Sequence, residues 1–341
     1  MLISYILFGL SLFLRKSKVF AVILLIYCWL LFGFNYYNGD YDLYNLMYNE
    51  VINLSSVFTY EAGYKALMFL FKQIGFDFQN FFKIISFIIL MILGIFTLKF
   101  SKYPALFIGV FLLAYLPIQY VLLRNFLAFS IVLLGIMYYL NGGNKRKYIL
   151  LLSIFAATTI HISSLFYFLV YFAFVYPTLK LSKIVFYIIL GVIIFSIFNS
   201  FILPKLIGNV GGRDTLYLTN FPQFLLFSVY QIINYIMIKW YFKNNTSIES
   251  NHINLLIKMN MYLLFLIIIY FNYAIFIRIF LNLSLINVLF MLNTINIKKE
   301  NGIQRGLVLV VYILFFFMEF IYPVNKDSLI PLYNKNLIFN E

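Results

Sequence analysis

Apolar residues fill long stretches near positions 2–14, 19–34, 80–98, 103–120, 125–140, 148–162, 164–179, 184–203, 223–242, 259–276, 279–296 and 306–322, and polar residues collect between them. The pattern predicts about twelve membrane helices, several so short that they need local bilayer thinning or a companion helix. The strict alternation of polar and apolar positions that a β-barrel requires is absent. Lipid offers no partners for free backbone groups, so a chain patterned this way satisfies them within helices. The expected fold is an all-α, polytopic integral membrane protein: one membrane domain over 1–341, without internal repeat or soluble domain. The run from Met1 to Leu14 lacks a basic leading segment and its charges follow the apolar residues, so it reads as a retained first span rather than a signal peptide.

Composition agrees with this. The chain is 64% hydrophobic and 11% charged over 341 residues, with a mean hydropathy of +0.96. Richness in Phe, Tyr, Ile, Asn and Lys is partly what a codon-biased genome produces, so the 29 tyrosines are not read as a binding signature. Cys28 is the single cysteine and forms no internal disulfide, and two histidines do not suggest a zinc site. No metal and no cofactor is expected.

The net charge of +14 tests the map of spans independently. Basic residues should gather in alternate, cytoplasmic connections. Arg15, Lys16, Lys18, Lys99, Lys102, Lys145, Arg146, Lys147, Lys180, Lys183, Lys239, Lys243, Lys258, Lys298, Lys299 and Arg305 all fall on one side, with Glu249 and Glu300 as its acids. The other side carries equal numbers of each sign. The whole excess is therefore a topology signal rather than a nucleic-acid footprint, and both termini are expected outside the cytoplasm.

Three segments on the neutral side are substantial. In the first, about 35–79, Tyr64, Leu67, Met68, Phe71 and Ile74 recur at helical spacing with Lys65 and Lys72 interleaved, which predicts an amphipathic helix in the outer interface. The second, about 204–222, is glycine-rich around Arg213 and Asp214. The third is the tail after Tyr322, about 323–341, whose Pro323 and Pro331 argue against a further helix.

Ionisable residues at apolar edges are the functional candidates. Arg124 opens the fifth span, where guanidinium and free helix N–H groups together could hold an anion, or where it could simply snorkel to lipid phosphate. Arg278 repeats the arrangement between the tenth and eleventh spans, and Arg213 shares the same face. Three arginines there suit a pyrophosphate-sized anion. His161, where the sixth span surfaces, could take a proton from a hydroxyl, the ordinary imidazole pKa being about 6.5, or could be a packing residue. Ser163 and Ser164 read as residues of a helix start, and His252 has no assigned role. Asp40 and Asp42 could hold a divalent cation or be solvated loop residues. Glu61 could complement a helix dipole or orient a sugar.

Asp40-Tyr41 with Tyr44 and Tyr48, Glu61-Ala62-Gly63-Tyr64, Arg124 to Ala128, the basic Lys145 to Lys147, and His161 to Leu165 follow one another in an order that resembles the EpsG family of exopolysaccharide polymerases, related in role to the Wzy polymerases. Arg278-Ile279-Phe280 is similar to a late arginine element of that family. Departures are Asn125 and Leu281-Asn282, where the family often has a glutamine-like residue and a Tyr-Phe pair.

The resemblance implies the joining of undecaprenyl-pyrophosphate-linked oligosaccharide units on the outer face of the bacterial cytoplasmic membrane, producing exopolysaccharide, capsule or O-antigen; the chemistry expected for this is metal-independent, inverting glycosyl transfer. Arg124, Arg278 and Arg213 would stabilise the departing pyrophosphate; His161, Glu61 or Asp40 would take the acceptor proton. Expected partners are the lipid-linked oligosaccharide and membrane lipid, with a chain-length regulator and a flippase, and no nucleic acid. A lipid-linked oligosaccharide flippase is the transporter alternative, disfavoured because it should carry polar residues through the membrane centre in repeated halves. An O-antigen ligase shares the external arginine and histidine chemistry, whereas an acyltransferase would keep its histidine on the cytoplasmic side.

Overall fold

The structure is a computed structural model that describes residues 1–53, 57, 61–142, 145–176, 180–201, 219–243, 250–271, 273, 276–295, 302–320 and 328–339. These residues are helical apart from short connections, with no strand longer than an isolated bridge among them. All twelve expected apolar stretches carry helix, but only five described helices are long and apolar enough to cross a membrane: Phe78–Phe100, Leu123–Leu140, Phe221–Phe242, His252–Tyr270 and Ile277–Thr294. The chain is thus a multi-pass helical membrane protein. It divides into two compact units, Met1–Leu165 with Val288–Glu341, and Phe166–Asn287.

The first unit contains α1 (Leu2–Phe13), α2 (Lys18–Gly33), α3 (Tyr41–Glu50), α4 (Ala62–Gln73), α5 (Phe78–Phe100), α6 (Pro104–Gln119), α7 (Leu123–Leu140) and α8 (Arg146–Ile160). Local chemistry fixes several boundaries. The Ser17 hydroxyl accepts from Phe20 N–H at the head of α2, and the Asp77 carboxylate accepts from Asn80 N–H at the head of α5. Pro104 opens α6, where its missing N–H costs nothing. A π-helical turn at Phe111–Tyr115 widens α6 midway. The predicted interfacial helix is α4, whose Tyr64 and Met68 are buried.

Small residues set the helix spacings. A Cβ on Gly109 would overlap the Ser11 hydroxyl of α1, and one on Gly135 would overlap Ser153, so α1 lies close on α6 and α7 on α8.

The two ends of this unit differ in charge. At one end, Arg15 lies 5.1 Å over the Tyr103 ring, Arg146 lies 5.0 Å over Tyr139, and Asn293 joins Phe100 O to Lys102 N–H. At the other, Gln79 Nε2 donates to Gly33 O and Asn35 O, and Tyr41 Oη donates to Gln79 Oε1.

The tail differs from expectation. Residues Ile330–Asn334 form a short helix with Pro331 in its first turn, the one place where proline is tolerated. It is clasped to the end of α2 by two fully buried asparagines. Asn35 Nδ2 donates to Pro331 O and Lys335 O, and Asn336 Nδ2 donates to Leu30 O and Leu31 O. Each side chain thereby bonds carbonyls at the other's helix end, and the Tyr36 N–H adds a backbone bond to Lys335 O. Tyr120 Oη, just ahead of α7, also donates to Ser328 O.

The second unit contains α9 (Phe168–Val175), α10 (Leu181–Phe201), α11 (Phe221–Lys243), α12 (Ser250–Leu263, continuing as Leu266–Tyr270) and the first part of α13 (Ile277–Thr294). The tenth apolar stretch is shifted: helix begins at Ser250, so His252 and Lys258, expected in a loop, lie in α12. Its interior is more polar than the sequence pattern suggested. Asn260 hydrogen-bonds with both Asn234 and Asn287 at 2.8–3.0 Å, Asn282 donates to Tyr167 Oη, and Tyr270 Oη donates to Gln231 Oε1. Such amides tie helices together where no water competes.

Candidate functional site

Three chain segments meet at the less basic end of the first unit. The first enters α4 through Glu61, whose φ of 57° and ψ of 49° are left-handed; it is the one non-glycine residue with positive φ among the described residues. That conformation costs about 1–2 kcal/mol for a residue with a Cβ. Two residues on, Gly63 lets α4 press against the last turn of α8, for a Cβ there would overlap the Thr159 hydroxyl and stand 3.0 Å from the Thr159 backbone carbon. The carboxylate of Glu61 is thereby lodged between the start of α7 and the end of α8.

Arg124 lies in the first turn of α7, and its Nη1 donates to Glu61 Oε2 at 2.5 Å. Its guanidinium carbon is 5.5 Å from the Tyr44 ring and 5.9 Å from the Tyr64 ring, which hold it by cation–π attraction. His161 caps α8 in an extended conformation, and its Nδ1 is 2.6 Å from Glu61 Oε1. The same oxygen accepts the Ile162 backbone N–H at 3.1 Å. The carboxylate side chain is 1% exposed, whereas those of Arg124 and His161 are 18% and 17% exposed. Glu61 forms the floor; the cation and the imidazole form the rim.

Burial alone would raise the Glu61 pKa. The hydrogen bond from His161, the charges of Arg124 and His161, and the Ile162 N–H together outweigh it and hold the carboxyl below its ordinary value. An ionised carboxylate only accepts hydrogen bonds, so His161 carries its proton on Nδ1 and, when neutral, presents a lone pair on Nε2. The arrangement can bind an anion at Arg124 and accept a proton at His161.

The other expected residues are placed as follows. Asp40 stands at the head of α3, one turn before Tyr44, with its N–H bonded to Asn38 Oδ1. Arg278 lies in the first turn of α13, in the second unit. Arg213 and Asp214 lie outside the described residues. Ser163 and Ser164 sit, as residues of a helix start, in the first turn of a 3₁₀ helix, Ile162–Tyr167, but their buried hydroxyls make no capping hydrogen bond. Among the described residues, no group of three or more His, Cys, Asp or Glu side chains could hold a metal ion.

The sequence reading passed over Tyr44 and Tyr64 as walls for Arg124, because it had set the tyrosines aside as compositional. Their spacing carried a signal: Tyr44 is one helical turn from Tyr48, and Tyr64 is three residues after Glu61 on the same helix face.

With this geometry in view, comparison with protein families is decisive. The model of the EpsG family matches residues 18–334. The chain belongs to the EpsG family. Every residue of the Glu61–Arg124–His161 cluster lies within the matched region of this EpsG protein, as do α2 to α13. EpsG membership supports a polysaccharide polymerase role in general. Comparisons with curated proteins and with solved structures gave no match.

Proposed function

We propose that this EpsG protein polymerises oligosaccharide units carried on a polyprenyl pyrophosphate, by inverting glycosyl transfer at the outer face of the cytoplasmic membrane. The observation that carries the proposal is the convergence of Arg124 and His161 on the two oxygens of one buried carboxylate. In the reaction, the acceptor sugar hydroxyl attacks the anomeric carbon of the donor. The anomeric C–O bond breaks with its electron pair leaving on the pyrophosphate, and the hydroxyl proton passes to His161 Nε2. Arg124 neutralises charge developing on the departing phosphate oxygen, and Glu61 fixes the His161 ring and stabilises the imidazolium. Glu61, buried with both oxygens engaged, suits orienting better than receiving the proton itself. Arg278 and Arg213 remain proposed further contacts for the pyrophosphate, and Asp40 an alternative base. The basic end of the first unit would face the cytoplasm.

Lipid and glycan analysis of a deletion strain tests this. Single lipid-linked units should accumulate on the outer face, and long polymer should be lost. Accumulation on the inner face would instead indicate a flippase, and accumulation of finished polymer on its lipid would indicate a ligase.

A further inference from the structure

Tyr64 is fully buried, yet its hydroxyl has no hydrogen-bond partner. An unsatisfied buried hydroxyl typically costs about 1–3 kcal/mol, so phenylalanine would pack more favourably at this position in the unliganded protein. The hydroxyl is not remote from the chemistry. Tyr64 follows Glu61 by three residues, its N–H bonds to Glu61 O, and its ring lies 5.9 Å from the Arg124 guanidinium carbon and 6.2 Å from the Tyr44 ring. Burial pushes its phenol well above the ordinary value, so it remains a donor throughout the neutral range.

At rest, Arg124 supplies the hydrogen bond to Glu61 Oε2. On the reading given above, on which this inference rests, an anion arriving at the rim competes with Glu61 for that guanidinium. We propose that Tyr64 is a positioning residue, the reserve donor that bonds to the Glu61 carboxylate when Arg124 turns to the substrate pyrophosphate. The groups bonded to that carboxylate are Arg124 from α7, and His161 and the Ile162 N–H from the end of α8, while Tyr64 from α4 and Tyr44 from α3 lie against the Arg124 guanidinium. With Tyr64 in Arg124's place, the buried carboxylate keeps its charge solvated and continues to hold His161 in the reactive tautomer. Anion capture and proton acceptance are thereby linked through one side chain.

The test uses the full-length protein in lipid nanodiscs, with inorganic pyrophosphate as the probe. Tyr64→Phe should leave thermal stability without ligand unchanged or raised, and should weaken pyrophosphate binding about tenfold, the usual worth of a hydrogen bond to a charged group. Arg124→Ala should abolish binding. A Tyr64→Phe protein that is less stable without ligand, with unaltered pyrophosphate affinity, would show a hydroxyl already bonded at rest and overturn the proposal. If Arg124→Ala abolishes binding while Tyr64→Phe does not change it, the switch fails and the anion site stands. If the wild-type protein does not bind pyrophosphate, or Arg124→Ala still does, both fail.

Discussion

His161 Nδ1 and Glu61 Oε1, one hundred residues apart in the chain, lie 2.6 Å from each other. The histidine is therefore held in one orientation and one tautomer before any substrate arrives. Replacing His161 by Ala or Gln should lower glycosyl transfer by roughly 100-fold or more, the usual contribution of a general base, while leaving pyrophosphate affinity largely intact. Glu61→Gln should give a similar rate loss. In vitro polymerisation with purified lipid-linked donor measures both; a wild-type rate in His161→Ala returns the residue to a packing role.

Arg124→Ala should abolish long polymer, with a fall of roughly 100-fold or more in transfer, while the protein still accumulates in the membrane. Arg124→Lys should not restore it. Lysine lacks the planar guanidinium that rests against Tyr44 and Tyr64 while donating to Glu61. Gel profiles of polymer length, beside immunoblots of membrane fractions, provide the check.

Gly63→Ala should cost about 1–3 kcal/mol by driving a methyl group into Thr159. Thr159→Ala in the same chain should recover only part of this, because the Thr159 backbone stands in the way as well as its hydroxyl. Thermal unfolding in detergent distinguishes the three variants, and full rescue would mean that the backbone contact is unimportant.

The lowered Glu61 pKa gives stability a definite pH dependence. The folded protein holds this carboxyl ionised more strongly than the unfolded chain does. Its contribution is therefore complete above the ordinary carboxylate value and is lost as pH falls through the lower folded value. Melting temperature should hold steady from neutrality down to about pH 5 and drop below it. Glu61→Gln should flatten that acid limb, which a melting series in citrate buffers would reveal.

Because Cys28 is fully buried, the native chain should give little background with a membrane-impermeant maleimide. A cysteine in place of Phe339 should label from outside intact cells, and one in place of Lys145 only after permeabilisation. The opposite pattern would invert the proposed orientation and end the outer-face mechanism.

Much of the fold was legible because lipid imposes a coarse rule: apolar stretches mark helices, and charge marks their ends. Arg124 and His161 stood out for that reason, as costly side chains at apolar edges. The partnership with Glu61 was not legible, since it depends on a left-handed backbone at one residue and a close helix approach at Gly63, neither of which a periodicity carries. The asparagines of α11 to α13 escaped because each looks like an isolated polar residue until three helices bring Asn234, Asn260 and Asn287 together. Pro331 misled in the other direction: a signal that ends helices also begins them.

The reciprocal clasp of Asn35 and Asn336 imposes an order on biogenesis. Its partners are some 300 residues apart, so the carbonyls of Leu30 and Leu31 at the end of α2 wait uncapped until Asn336 has been translated and inserted. Ribosome-stalled intermediates lacking residues 328–339 should therefore carry an uncapped α2 end, open to membrane quality-control proteases until that segment docks.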